Sequence, residues 1–476
     1  MNIITSSKVG MQKALTALEK TGQARGLRLN REKCASISFV KAGKVKKLKI
    51  ITDHQFKFVD GSMVKQIKPS ECIKMLGILF DPTGIKRCTG NFDKELMRIT
   101  KAPLKPQQRL KILRSFLIPR WYYKLSLSRI NIVTLRVMDK SMRGYVKKWI
   151  NLPKDIPIGY IHASCKVGGM GIPSLATTIP YLIYSRMESL KDSSSRIVRG
   201  VYLSDWVQKR ISWAQGRLYL DGEYRIKEGA TDAYWRNKLY TSVDGADLKE
   251  CFKTSVNNNW IDANSNRIPG RDYIQYHRVR INALPTKSRT SRGRRAEGSD
   301  RLCRAGCNVV ETATHVVQVC FRTHGGRVKR HDAVSKTLAA ELRQKSWKVS
   351  EENRIITSEG LRKPDIICQK QSEVWVIDTQ VVGFYKPLNE LHKDKANKYK
   401  KDEIRIAIAN EKKVPVENIK FTSCTISYRG VWSQRSLEDL LSLGLTKGFL
   451  AKLTTMVLQG THTNWTRFNS MTSRVH

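Results

Sequence analysis

Between residues 362 and 399 the chain alternates apolar runs with polar breaks, RKPDIICQKQSEVWVIDTQVVGFYKPLNELHKDKANKY. Ile366, Ile367 and Cys368 make a first run, 369–372 a polar turn, and Val374, Trp375, Val376 and Ile377 a second run ending in Asp378. Short β-rich runs bounded by a turn predict two adjacent strands. After Pro387 the period changes: Leu388 and Leu391 open a helical stripe that Lys395, and then Lys398 with Tyr399, continue. The same patterning predicts a helix over 11–23 with Leu15 and Leu18 as its apolar positions, and a Lys-rich strand region over 44–58. Helices follow from about 104 to 150, with Trp121, Tyr122, Tyr123 and Trp149 as large anchors among many basic residues. A glycine-rich turn at 166–175 separates them from a helix near 179–191 and from a mixed region reaching about residue 270.

Two strands joined by a tight turn bring Asp365 and Asp378 together. Such a pair suits a hard cation: Mg²⁺ takes carboxylate oxygens plus waters, lowers the pKa of a bound water and stabilises charge on a phosphodiester under attack. Lys395 stands in core phase, and burying an ammonium group costs several kcal/mol unless it is paired, so it points at a carboxylate or a phosphate. Pro364-Asp365, Asp378 and Lys395 thus form the kit of a metal-dependent DNA-cutting site. Spacing alone leaves a second reading open, in which Lys395 snorkels past the stripe and Asp378 simply ends a strand.

Charge narrows the choice of partner. Over 476 residues, 87 Lys and Arg against 41 Asp and Glu give a net charge of +46. An excess of that size repels itself unless a polyanion neutralises it, which makes nucleic acid the leading partner. The length allows about two to four domains, and the 40% apolar content argues against global disorder. No run approaches the length of a bilayer span and no basic amphipathic anchor is visible, so a membrane is not expected as a partner. The first residues lack the charged and apolar regions of a secretory signal, and ten scattered cysteines suit a reducing, intracellular compartment.

Cys303, Cys307, His315 and Cys320 follow a C-x3-C-x7-H-x4-C spacing, the number and type of ligands for a closed tetrahedral Zn²⁺ site that folds with its metal. The bland alternative is two buried cysteines beside an unrelated surface pair. Basic residues flank the cluster: Arg278, Arg280, Lys287, Arg289, Arg292, Arg294 and Arg295 before it, Arg322, Arg327, Lys329 and Arg330 after it. Interleaved with Tyr273 and Tyr276, the leading segment suits a phosphate backbone and stacked bases, although any single run also reads as a solvated face. His324 and His331 read as spare ligands at best, more readily as phosphate contacts or surface histidines.

In their order along the chain these segments resemble the C-terminal half of the polyprotein of site-specific non-LTR retrotransposons that insert into ribosomal RNA genes and carry a restriction-like endonuclease. GLRLNREKC and KMLGILF are similar to the last two palm motifs of a reverse transcriptase, LPKDIPIGYIHASCKVGGMGIPSL to the thumb and the stretch after it, RINALPTKSRTSRG and CRAGC…H…C to the linker knuckle, and KPD…D…KANKY to the endonuclease. The resemblance implies a multidomain α/β chain: the end of a palm over 1–100, an α-helical thumb over 101–200, a basic linker over 201–300, a CCHC zinc knuckle over 301–335 and an α/β restriction-like, PD-(D/E)xK nuclease over 336–476.

It also implies target-primed reverse transcription, in which a nicked DNA site primes copying of the element's RNA. Asp365 and Asp378 would be the Mg²⁺ ligands and Lys395 the catalytic lysine, with Lys398 and Tyr399 beside it; Zn²⁺ would be structural. Partners would be a ribosomal RNA gene as target DNA and the element's own RNA, and the place of action the nucleus. The chain departs from the nuclease pattern, because Gln380 stands two residues after Asp378 where a lysine is usual. It departs from the polymerase pattern too: residues 1–476 contain no Asp-Asp pair, so a fragment of a longer reading frame is expected, with Lys33 the one polymerase-site residue present. Two other readings compete, a non-catalytic nucleic-acid-binding module or decayed copy, and a stand-alone repair or junction-resolving nuclease.

Overall fold

The computed structural model describes residues 3–41, 48–81, 84–86, 91–222, 224–225, 231–262, 267–293 and 298–473. They form two compact units, one of 1–91, 119–135 and 182–211, the other of 92–118, 136–181 and 212–476. No helix among the described residues is long and apolar enough to cross a membrane.

In the first unit the expected amino-terminal helix runs Lys8–Ala24, started by Ser7, whose hydroxyl accepts from the Gly10 N–H. It buries Leu15 against Phe56, Phe58 and Val64. The Lys-rich region contributes the strand Leu48–Ile51, its residues 44–47 lying outside the described ones. KMLGILF folds as a hairpin of Ile73–Met75 with Ile78–Asp81, whose two turn residues, Leu76 and Gly77, both have positive φ (48° and 83°), as a two-residue turn matched to strand twist demands. Lys33 lies exposed in the short turn Arg31–Lys33.

The second unit holds the helices Phe92–Lys101 and Pro106–Ile112 and the larger part of Ile132–Trp149. The next helix runs Leu175–Glu188, four residues earlier than the apolar pattern placed it, because Asp139 supplies its cap from another helix. The Asp139 carboxylate accepts from the N–H groups of Leu175 and Ala176 and from Ser174 Oγ. Before that helix the chain must be glycine: a Cβ on Gly169 would lie 2.2 Å from the Ala163 carbonyl oxygen.

The helix Gly270–Arg280 buries Tyr273, Tyr276 and His277 around Trp260, with the Tyr160 hydroxyl 2.7 Å from His277 Nδ1. The two tyrosines expected to stack on bases are therefore core residues. Arg280, expected on a phosphate, is fully buried beside them and donates to the carbonyls of Asn257 (2.5 Å) and Gly430 (3.2 Å). Arg429, also fully buried, answers from the far end of the sequence with bonds to the carbonyls of Arg280 (2.7 Å) and Asp244 (2.5 Å) and to Asp247 (3.0 Å).

From 324 onward the unit is a sheet between helices. Helix α1 (His324–Gln344) leads to strands β1 (Lys348–Glu351), β2 (Ile366–Lys370) and β3 (Glu373–Val382). Helices α2 (Leu388–Asn397) and α3 (Asp402–Lys412) cross over to β4 (Ile419–Ser427), and α4 (Gln434–Ser442) and α5 (Lys447–Thr472) close the chain. The sheet order is β1-β2-β3-β4, antiparallel except for the parallel pair β3 with β4. Strand alternation sorts the core. Ile366 and Cys368 of β2, Trp375 and Ile377 of β3 and Cys424 and Ile426 of β4 pack with α1, α4 and α5, whereas Ile367, Val374 and Val376 face Ile404 and Ile408 of α3. Asp378 lies within β3, which runs four residues past it, where the apolar run suggested its end.

Candidate functional site

The hairpin register sets Ile366 against Ile377, so Asp365 and Asp378 come next to one another one step beyond. The Asp365 N–H donates to Asp378 Oδ1 at 3.3 Å. Even positions of β3 share a face, and Asp378 continues the line of Val374 and Val376 toward α2. Lys395, seven residues after Leu388 on α2, meets it there: its Nζ is 2.6 Å from Asp378 Oδ2, with the lysine 27% and the aspartate 4% exposed. Tyr399 is buried just beyond the helix and donates to the Lys363 carbonyl at 3.1 Å, while Lys398 is exposed with its Nζ 5.3 Å from the Tyr399 ring centre.

A residue that the sequence reading set aside also enters this site. His331 places Nε2 3.1 Å from Asp365 Oδ2 and 3.0 Å from the Thr379 carbonyl, and Nδ1 3.2 Å from Asp332. Both ring nitrogens face acceptors, which only the imidazolium satisfies. The Asp365 hydrogen bond and charge, against the opposing effect of burial, push its pKa up to about 9. A signal for it exists in the sequence: Val334, Leu338 and Leu342 stand three, seven and eleven residues on, so His331 is in core phase on α1, as Lys395 is on α2.

The two carboxylates are held at different acidities. Burial raises Asp365, but the hydrogen bond and charge of His331 and the Thr379 N–H (2.7 Å) outweigh it and leave the carboxyl below its ordinary range. Burial and the Asp365 charge push Asp378 up to about 6 in spite of Lys395. Two adjacent, mutually repelling oxygen ligands, Asp378 buried and Asp365 half-buried, are a donor set that a hard divalent cation would satisfy, and both would have to be ionised to hold it.

The cysteine and histidine cluster assembles as its spacing suggested. Ligand atoms of Cys303, Cys307, His315 and Cys320 lie within 4.8 Å of one another, with 3.6 Å between the sulfurs of Cys307 and Cys320. Zinc–sulfur bonds of about 2.3 Å set tetrahedral partners roughly 3.8 Å apart, so the cage has the size of the ion. His315 Nε2 is buried without a hydrogen-bond partner, the state of a nitrogen awaiting a metal. The cluster is docked on the sheet: Gln318 Nε2 donates to the Val381 carbonyl at 3.0 Å, and Thr314 Oγ1 lies 3.0 Å from the Tyr428 hydroxyl.

The flanking basic residues divide. Arg322 and Lys329 are exposed, Lys287 and Arg278 half-buried, the last with Nε 2.9 Å from the Asn151 carbonyl. Arg280, Arg289 and Arg330 are buried inside the protein, which corrects the expectation that they contact nucleic acid. Arg289 pairs with Asp244 and Asp155, both at 3.0 Å, and Arg330 donates to Thr461 Oγ1 (2.8 Å) and Gln318 Oε1 (2.5 Å). Arg292 binds Asp244 at 2.8 Å, and Arg327 hydrogen-bonds the Gln318 carbonyl. Arg294 and Arg295 lie outside the described residues.

No family model matches the chain. Individual proteins do. A retrovirus-related Pol polyprotein from the type-1 retrotransposable element R2 of Nasonia vitripennis is 39% identical over 99% of this chain and 45% of its own length. Its counterpart from Bradysia coprophila is 35% identical over 100% of this chain and 54% of its own length. One from Popillia japonica is 31% identical over 90% of this chain and 87% of its own. The chain thus spans about half the length of the first two.

Proposed function

Because the chain belongs to the Pol polyproteins of R2 retrotransposable elements, we propose that residues 336–476 are a restriction-like, Mg²⁺-dependent DNA endonuclease. The observation that carries this reading is the meeting of Asp365, just before β2, with Asp378 of β3 and Lys395 of α2 in one partly buried site. Asp365 and Asp378 would hold the cation, which when bound lowers the pKa of a water and stabilises charge on the phosphodiester. Lys395 supplies a fixed positive charge beside the scissile phosphate, worth most in a water-poor site. His331 holds Asp365 ionised, and Tyr399 packs beneath the pair.

The other parts take the roles that the same family suggests. Residues 1–100 would be the end of a reverse-transcriptase palm, 101–200 the thumb around template and primer, 201–300 the linker and 301–335 a zinc knuckle. The exposed Arg322 and Lys329 beside the knuckle would meet phosphates of target DNA or of the element's RNA. In this reading the whole polyprotein nicks a ribosomal RNA gene in the nucleus and extends the freed 3′ hydroxyl while copying that RNA.

The test is nicking of supercoiled DNA bearing a ribosomal RNA gene segment by the purified chain, in Mg²⁺ and in EDTA, beside Asp378→Ala. Metal-dependent nicking that disappears in the variant while DNA binding persists supports the endonuclease. Binding without nicking by the parent chain points instead to a nucleic-acid-binding module, and joint loss of binding and nicking in the variant removes Asp378 from catalysis.

A further inference from the structure

Gln380 occupies the place where a lysine two residues after Asp378 would stand, on the same face of β3 beneath α2. Its Nε2 donates to the carbonyl of Leu391 at 2.9 Å and to Thr425 Oγ1 at 2.8 Å, which uses both of its hydrogens. In an α-helix the carbonyl of residue 391 is also the acceptor for the backbone N–H of residue 395. The strand therefore grips the helix at the hydrogen bond from which Lys395 hangs. A polar row extends that grip along β4: Thr425 Oγ1 lies 2.6 Å from Ser423 Oγ, and Ser423 Oγ lies 2.9 Å from His392 Nδ1.

Burial of Leu388 and Leu391 is non-directional, and the directed contacts of α2 come from polar groups, with His392 meeting Ser423 and Asn389 meeting Ser433 beside the Gln380 bond. A directed bond to one carbonyl fixes position along the helix axis, which burial does not. A slip of α2 by one residue would turn Lys395 by about 100° and carry it about 1.5 Å along the axis, away from Asp378.

We propose that Gln380 is a positioning residue for Lys395: it sets the register of α2 against β3 so that a lysine arriving from the helix reaches the carboxylate that a strand lysine would otherwise serve. The inference rests on the endonuclease reading above. It asks Gln380 to touch neither substrate nor cation, only the helix.

The experiment measures kcat and KM for metal-dependent nicking by Gln380→Met, which keeps the length of the side chain and removes its donors, with thermal melting of the same samples. Trp347→Phe, which removes a buried hydrogen bond to the Leu443 carbonyl that involves neither Gln380 nor α2, controls for general loss of stability. A misplacement of about 1 Å costs up to about a hundredfold, so Gln380→Met is expected to lose about ten- to a hundredfold in kcat with KM within about twofold. Trp347→Phe is expected to keep kcat within about threefold at a comparable fall in melting temperature. Nicking by Gln380→Met within about threefold of the parent, or an equal fall in kcat for Trp347→Phe at matched stability, would overturn the assignment. Failure of the parent chain to nick is visible before any substitution and defeats the endonuclease reading itself, the Gln380 assignment with it.

Discussion

The ammonium of Lys395 lies 2.6 Å from the carboxylate of Asp378, although one side chain comes from a helix and the other from the middle of a strand. Burial and the neighbouring Asp365 both raise the Asp378 carboxyl, and Lys395 is the group that opposes them.

Replacing Lys395 with Ala is expected to cut nicking by a hundredfold or more while leaving DNA binding within about twofold, because one fixed charge contributes on the order of 3 kcal/mol to such a transition state. The same change lets the Asp378 carboxyl rise further above its present value of about 6. The Mg²⁺ concentration needed for the residual rate should therefore be higher at pH 6 than at pH 8, by more than in the parent chain. Titrations of nicking against Mg²⁺ at both pH values check it.

Alanine substitution should separate the exposed basic residues from the buried ones. Arg322→Ala and Lys329→Ala are each expected to reduce the slope of log affinity against log salt by about 0.9 on duplex DNA, with melting unchanged. Arg280→Ala and Arg330→Ala leave buried carbonyls and hydroxyls without donors and should destabilise the fold on the order of 3 kcal/mol. Fluorescence-monitored melts and salt titrations of the four variants decide it.

Metal removal should reach the carboxylates through the knuckle. Gln318 bonds both the Val381 carbonyl of β3 and Arg330, which precedes His331 on α1. Purified protein should carry about one zinc per chain, and Cys307→Ser should lose it. Burial pushes the metal-free Cys320 thiol up to about 12, so zinc has a proton to displace there and its apparent affinity should climb with pH, whereas burial pushes the His315 imidazole down and keeps it neutral for ligation. Competition with a chromogenic chelator at several pH values measures this, and nicking by the zinc-stripped chain should fall in parallel.

Acid should weaken the second unit through two buried histidines. Burial depresses His162 to about 4 and His277 to about 3, the latter helped by Arg280. Below about pH 6.5 the unfolded chain takes up protons that these folded imidazoles refuse, so stability is full above that value and drains as pH falls toward the folded ones. Each histidine contributes about 1.4 kcal/mol per pH unit in that window. Urea melts from pH 8 to pH 5 should show the decline, and His162→Gln should flatten it.

Much of the candidate site was legible because its logic is local. A turn of a few residues joins the strands that set Asp365 beside Asp378, and the three- and four-residue steps from Leu388 to Lys395 are intrinsic to a helix, so period puts Lys395 on the inward face of α2, while its meeting with Asp378 depends on how α2 lies on the sheet. The cysteine cluster is legible for the same reason. The basic linker was not, since a sequence shows that Arg280 is charged but not that Asn257 and Gly430 offer it carbonyls inside the protein. Nor was the pairing of His331 with Asp365, 34 residues away, which depends on how α1 lies across the sheet. The early start of the helix Leu175–Glu188 has a like cause, a cap lent by Asp139 from distant sequence.

The reciprocal clasp of Arg280 and Arg429 bears on inheritance. A nuclease segment beginning at residue 336 would carry Arg429 without the carbonyls of Arg280 and Asp244 and without Asp247, leaving a guanidinium in an apolar interior with nothing to bind. Recombination between elements that exchanged the cutting module at that boundary would yield a chain that folds poorly, whereas an exchange upstream of Asp244 would carry both halves of the clasp. As far as this clasp decides, the stretch from about residue 244 to residue 429 is one heritable piece.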